Sequence, residues 1–278
     1  MRYKRSRFLA REIVSTTANK SYNILLWCAF CPLNAVKSTN IQPQRERGPR
    51  TVFGTLQHCA IICALFGCAI YPSMLEIMNL LCVRDERALF EALTFCVSAG
   101  DIVQIEGPNG AGKTSLLRIL TGLSTPEHGE VRWQSQQIHQ QRDVWHQAML
   151  YLGHLPGITS ALSALENLRF YHPNCRDEHI FTALASVGLA GYEDVPAAQL
   201  SAGQQRRIAL ARLWLTQATL WILDEPLTAL DPVGVDTLMG RFAEHAQQGG
   251  SVIVTSHQAL PGLNGQIKTV RLHATEWQ

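Results

Sequence analysis

The stretch "DIVQIEGPNGAGKTSLLRIL", residues 101 to 120, decides the fold. Its first half carries Ile102, Val103 and Ile105 and runs into a glycine, the pattern of a buried strand. Its second half spaces Leu116, Leu117 and Leu120 as one face of a helix. Between them "GPNGAGKT", residues 107 to 114, fits the form G-x-x-x-x-G-K-[ST]. A loop of this form aims backbone N–H groups at an anion beside the positive end of the following helix. Gly107, Pro108, Asn109, Gly110, Ala111 and Gly112 are the candidate phosphate contacts, the three glycines allowing the tight turn. Lys113 is placed to reach β- and γ-phosphates, and the Thr114 hydroxyl to ligate Mg²⁺. A Gly-rich turn arising by chance would lack the strand, the helix and the downstream partners.

The required partner stands at "TLWILDEP", residues 219 to 226. Apolar residues feed into Asp224 and Glu225, as expected of a central strand delivering carboxylates at its C-terminal edge, where open α/β sheets bind ligands. Asp224 suits the Mg²⁺ shell. Glu225 is the candidate general base for an attacking water. Two adjacent acids alone would read as a solvated turn, and the P-loop is what gives them weight.

Outward from these two strands the chain alternates strand and helix. "LEIMNLLCV" and "LTFCVSAG" read as strands of an N-terminal antiparallel sheet, and "HGEVRW", "AMLYLG", "SVIVTSH" and "KTVRLH" as further strands, the last at an edge. "ALSALENLRFY", "DEHIFTALASVGL" and "GQQRRIALARLWL" read as helices. The expected fold class is α/β, a mixed central sheet with an N-terminal antiparallel β subdomain and an inserted helical subdomain at about 155–213.

Composition divides the chain. Residues 1–73 hold ten Lys/Arg against two acids, while 74–278 hold fourteen against twenty. The acidic balance of the second part argues against a nucleic-acid partner. Its cysteines, Cys82, Cys96 and Cys175, follow no pattern and suit reduced thiols. The first part is harder to read. "MRYKRSRFLAREIVSTTANK" has the Arg- and Ser-rich, acid-poor composition of a transit peptide. "CAIICALFGCAI", residues 59 to 70, is shorter than the roughly 20 residues of a spanning helix. "CAFC", residues 28 to 31, has no second pair with which to hold zinc. The plainer reading makes 1–73 a basic extension without an evolved fold and Met74 the functional start, because regular patterning begins there.

A third motif, "LSAGQQRR" at 200 to 207, opens a helix 23 residues before Asp224, counted from Ser201. With it the sequence resembles the ATP-binding cassette (ABC) family, whose signature reads LSGGQ followed by a basic helix. "TALD", residues 228 to 231, matches the family's D-loop with Asp231, and "TSH", 255 to 257, its switch histidine with His257. The resemblance spans Met74 to Gln278 and implies a P-loop NTPase of ABC type using ATP and Mg²⁺. It further implies a head-to-tail homodimer, in which Ser201, Gly203 and Gln204 meet the nucleotide across the interface. His257 would sense the γ-phosphate from its own subunit.

"YLGHLPGI", residues 151 to 158, places His154 where most of the family has a glutamine that contacts Mg²⁺ and water and hinges the two subdomains. A neutral imidazole offers one acceptor nitrogen for that work. The other reading keeps His154 near the loop for packing. Two more departures stand out. Ala202 replaces the first signature glycine, and no Tyr occupies the adenine-stacking place. Arg84 is the candidate there through its guanidinium plane, against the plainer reading of a solvated arginine.

Lys113 and Ser201 lie 88 residues apart, too close for coiled-coil arms between them, and the chain holds one cassette. A transporter subunit docked on separate integral-membrane permease subunits fits best. His154, "LSAGQQRRIALARLWL" and "LLCVRDERALF" look like the bacterial haem exporter ATP-binding subunits of cytochrome c maturation, with Leu155 a departure where relatives often have Gln. That resemblance implies a peripheral protein on the cytoplasmic side of the inner membrane, with haem-chaperone machinery as an indirect partner. An ABC cassette for another substrate, or a non-transport ABC ATPase, are the alternatives.

Overall fold

The computed structural model describes residues 73–228, 230–263, 265 and 267–273, all within the compact unit Phe53–Gln278. The readings of the first 72 residues, as transit-like segment, apolar run or extension, lie outside the described residues. In chain order the elements begin with β1 (Ser73–Arg84), β2 (Arg87–Ser98), β3 (Ile102–Glu106), α1 (Lys113–Leu120), β4 (His128–Trp133) and β5 (Gln136–Gln137). They continue with α2 (Arg142–Ala148), β6 (Met149–Leu152), α3 (Ala164–Tyr171), α4 (Asp177–Ser186) and α5 (Ala202–Ala211). The chain then forms β7 (Leu220–Asp224), α6 (Pro232–Gln247), β8 (Ser251–Thr255) and β9 (Ile267–Arg271).

The expected mixture of strand directions is distributed over two sheets. One is antiparallel in the order β2-β1-β4-β5, and the other is parallel in the order β6-β7-β8-β3-β9. The β1–β2 turn places Asp85 and Glu86 both at positive φ, 49° and 63°, the handedness that matches strand twist. In the central strands β7 and β8 every residue is buried because both faces are covered, and period two decides which core each apolar residue joins, whereas the edge strand β9 is largely exposed. Val103, Ile105, Leu220, Ile222 and Ile253 pack with α1 and the antiparallel sheet. Ile102, Trp221, Leu223, Val252 and Val254 pack with Leu238, Met239 and Phe242 of α6.

The helices α3, α4 and α5 bury a third core of their own, built on Leu165, Leu168, Ile180, Leu184 and Ile208. Both α3 and α5 start with a capping box: Ser163 with Glu166, and Ser201 with Gln204. Among the described residues no helix is long and apolar enough to cross a membrane. Cys82 and Cys175 are free thiols, as expected. Cys96 is disulfide-bonded, which departs from the reduced thiol expected there.

Behind the parallel sheet His245 of α6 stacks on Trp221 of β7, with centroids 3.7 Å apart and planes 6° off parallel. Its Nε2 lies 3.2 Å from the Thr219 carbonyl. A Cβ on Gly250 would collide with the imidazole, so only glycine permits this approach. Burial pushes the His245 pKa down from 6.5 to about 4, overcoming the opposing pull of its bond to Thr219. The unfolded chain therefore binds a proton between pH 6.5 and 4 that the folded chain refuses. Stability is unaffected above this window and falls as pH drops through it, by up to about 1.4 kcal/mol per pH unit for one proton. The expected result is a thermal midpoint that declines more steeply from pH 6.5 to 4.5 in the wild type than in His245→Gln; parallel declines would count against it.

Candidate functional site

The loops after β3, β7 and β8 leave one edge of the parallel sheet together, because parallel strands place all their C-terminal ends on one side. The loop 107–112 runs from β3 into α1. Gly112 caps that helix at φ 92°, and a Cβ there would come within 2.9 Å of the Leu89 Cβ. Both facts require glycine. No side chain caps α1, which leaves its first N–H groups to a ligand. Lys113 is buried, and its Nζ donates to the carbonyls of Gly107 at 2.7 Å and Pro108 at 3.2 Å. The ammonium thus lies folded back across the loop.

Beneath the loop Asp224 is buried and accepts two hydroxyl hydrogen bonds. Thr114 Oγ1 donates to its Oδ2 at 2.9 Å, and Thr255 Oγ1 to its Oδ1 at 2.7 Å. The β7–β8 register pairs Asp224 with Thr255, which fixes the second bond. The Thr114 hydroxyl and the Asp224 carboxylate are hard oxygen donors of the kind Mg²⁺ takes together with water and phosphate. Among the described residues no group of three or more His, Cys, Asp or Glu gathers for a metal, and a phosphate-bound Mg²⁺ needs none.

Glu225 is not an extension of β7. Its φ is 49°, a left-handed conformation that costs a non-glycine residue about 1 kcal/mol or more. Its N–H donates to Thr255 Oγ1 at 2.9 Å and to the Thr255 carbonyl at 3.2 Å. The turn brings Oε1 to 2.7 Å from His257 Nε2. Carboxylate and imidazole therefore form one unit at the mouth of the loop.

A cleft of about 330 Å³ lies over these groups, lined by Pro108, Asn109, Gly110, Lys113, Thr114 and Glu225, with Arg84 and Leu89 on its outer side. Arg84 thus borders the cleft. A second cavity, of about 550 Å³, is lined by Thr114, Arg118, Tyr151, His154, Leu155 and Arg212 among others. Thr114 belongs to both. His154 is exposed and opens into the second cavity, so the structure brings it to the same residue as the candidate metal site.

Ser201, Gly203 and Gln204 do not line the cleft. Ser201 and Gln204 satisfy one another at the head of α5, N–H to side chain in both directions. The helix starts with Ala202, so the methyl in place of the usual glycine does not prevent it. Asp231 caps α6 and accepts from Gly234 N–H at 3.0 Å and from Arg207 at 2.8 Å. The Gly234 bond, then the Arg207 charge, hold its carboxyl below the usual range.

The structure therefore gathers the 107–114 loop, Asp224, Glu225 and His257 into one site, sets His154 beside it, and leaves the 201–204 segment and Asp231 away from the cleft. Sequence reasoning missed two contributors. Thr255 precedes "SH" in a motif already singled out, and Arg206 sits within "LSAGQQRR". Nothing in either motif by itself shows what they touch.

Comparison with known proteins agrees with this geometry. The ABC transporter family model matches residues 90–228. A "Cytochrome c biogenesis ATP-binding export protein CcmA" from Tatumella citrea is 64% identical over 201 residues, 72% of this chain and 97% of that protein. The protein of the same name from Escherichia coli O157:H7 is 59% identical over 202 residues, 73% and 98% of the two chains. An ABC transporter ATP-binding protein from Pyrococcus furiosus superposes with a TM-score of 0.63 at 26% identity, covering 72% of this chain and 99% of that one. A dimeric ATP-binding cassette bound to ADP and Pi superposes at 0.61 and 21% identity, covering 73% and 97%. Near-complete coverage of these relatives at such identity, over a site with a P-loop and its paired acids in place, means that the chain belongs to the ABC transporter family, among the ATP-binding export proteins of cytochrome c biogenesis.

Proposed function

We propose that this chain is the ATP-hydrolysing subunit of an ABC haem exporter serving c-type cytochrome biogenesis. It works as a head-to-tail homodimer docked on integral-membrane permease subunits at the cytoplasmic face of the bacterial inner membrane. The observation that carries the reading is the cluster under the P-loop: Thr114 and Thr255 on one Asp224 carboxylate, with Glu225 held against His257. Identity to the export proteins supports the choice of cargo.

In this reading the loop amides and Lys113 hold the β- and γ-phosphates, and Lys113 exchanges its carbonyl partners for phosphate oxygens. Thr114 and Asp224 hold Mg²⁺, which when bound neutralises phosphate charge. Glu225 takes a proton from the water that attacks the γ-phosphorus, the bond to the bridging oxygen breaks, and ADP leaves with phosphate as the other product. His257 aims the carboxylate. Ser201, Gly203 and Gln204 serve the second copy's nucleotide, which suits their place outside this copy's cleft. Asp231 belongs to the same interface.

His154, in the second cavity, reports to the membrane partner. Leu155, which lines that cavity, is 81% exposed, and Leu123 on the same lining is 59% exposed, apolar surface of the kind that protein partners cover. Isolation of the native chain from solubilised membranes tests the assignment. The expected product contains integral-membrane subunits and has an ATPase rate that responds to haem. Recovery of the chain only in the soluble fraction, or bound to nucleic acid, would overturn it.

A further inference from the structure

Arg206 has no part in the mechanism above, yet its guanidinium bonds to the backbone of both acids and of the His154 loop. It is the fifth residue of α5 and is buried, 6% exposed. Its guanidinium reaches out of the helical subdomain and divides between two segments of the parallel sheet. Nη1 donates to the Gly153 carbonyl at 2.7 Å and the His154 carbonyl at 3.2 Å. Nη2 donates to the Asp224 carbonyl at 2.7 Å and the Glu225 carbonyl at 3.3 Å. All four acceptors are main-chain oxygens, and two belong to the acids of the hydrolytic site.

These bonds bear on the strain at Glu225. A left-handed non-glycine residue persists only where its surroundings over-determine it. Thr255 holds the Glu225 N–H and Arg206 shares its carbonyl, so the peptide groups on both sides of the Glu225 Cα are fixed. The direction of the carboxylate toward His257 follows from that backbone.

We infer that Arg206 is a positioning residue for hydrolysis, a planar tie that fixes the carbonyls of Asp224 and Glu225 and of Gly153 and His154 to the middle of α5. The inference rests on the role proposed for Glu225. Its chemistry is specific to arginine, because two separate nitrogens each serve one segment in a fixed fork. A lysine ammonium is a point and can satisfy one pair of carbonyls only. Through this tie a rotation of α5 acts on the Glu225 backbone and on the His154 loop together.

The experiment compares Arg206→Lys and Arg206→Ala with wild type and Glu225→Gln as purified full-length protein, reading ATP affinity, KM, kcat and thermal midpoint. Arg206→Lys keeps the buried charge and is the variant to read if Arg206→Ala does not fold. The expected result for Arg206→Lys is a kcat reduced by about tenfold or more with KM within about threefold, because the P-loop contacts are untouched and a misplaced group costs rate. A folded Arg206→Lys with wild-type kcat would overturn the proposal, as would a loss that falls on KM and ATP affinity with kcat preserved. The Glu225→Gln control separates two failures. If it is inactive while Arg206→Lys is normal, only the positioning role fails; if it retains turnover, the role of Glu225 fails first.

Discussion

Glu225→Gln is expected to bind ATP as tightly as the wild type and to hydrolyse it at least about 10²-fold more slowly, in the range that general-base contributions span. The substitution is nearly isosteric, so the backbone bonds at this position and its φ of 49° have no reason to change. What changes is the acceptor. The carboxylate oxygen facing His257 Nε2 at 2.7 Å becomes an amide, which cannot take a proton from water. Nucleotide binding depends instead on the 107–112 amides and Lys113, which the substitution leaves alone. Equilibrium titration with a fluorescent ATP analogue, run beside a phosphate-release assay, checks both halves. Retained turnover would remove Glu225 from the role of base.

Lys113→Ala should fail one step earlier. The ammonium supplies charge-assisted hydrogen bonds, each worth about 1.5–3 kcal/mol, so affinity for ATP should fall by about 10- to 100-fold and turnover by more. A second effect adds to this. In the folded chain Lys113 Nζ ties the Gly107 and Pro108 carbonyls together, and alanine removes that brace from the loop. The readout is the rise in thermal midpoint that saturating ATP gives a protein able to bind it. The expected rise is clear in the wild type and in Glu225→Gln and nearly absent in Lys113→Ala. A rise of wild-type size in Lys113→Ala would assign phosphate binding to the loop amides alone.

The legible parts of the fold were those with local signals. β3, β7 and β8 are short apolar runs bounded by glycine or acid. The 107–114 loop is contiguous, so a single pattern holds its whole geometry. α6, the longest helix described, was not assigned from sequence, because Gly234 and Gly240 dilute its pattern and its apolar face includes His245. The start signal was nonetheless present, with Asp231 as cap and proline directly after it. Arg206 and Thr255 were illegible for a different reason. Arg206 meets residues 53 and 18 positions away, and Thr255 meets Asp224 from 31 positions away, pairings that exist only once the sheet has formed.

Thr114 lines both the nucleotide cleft and the cavity that holds His154 and Leu155. The two chambers therefore have one side chain in common. A group that reaches Thr114 from the outer chamber would touch a residue that also borders the nucleotide loop. Asp224 holds the Thr114 hydroxyl at 2.9 Å, so a change at this one threonine bears on both chambers at once.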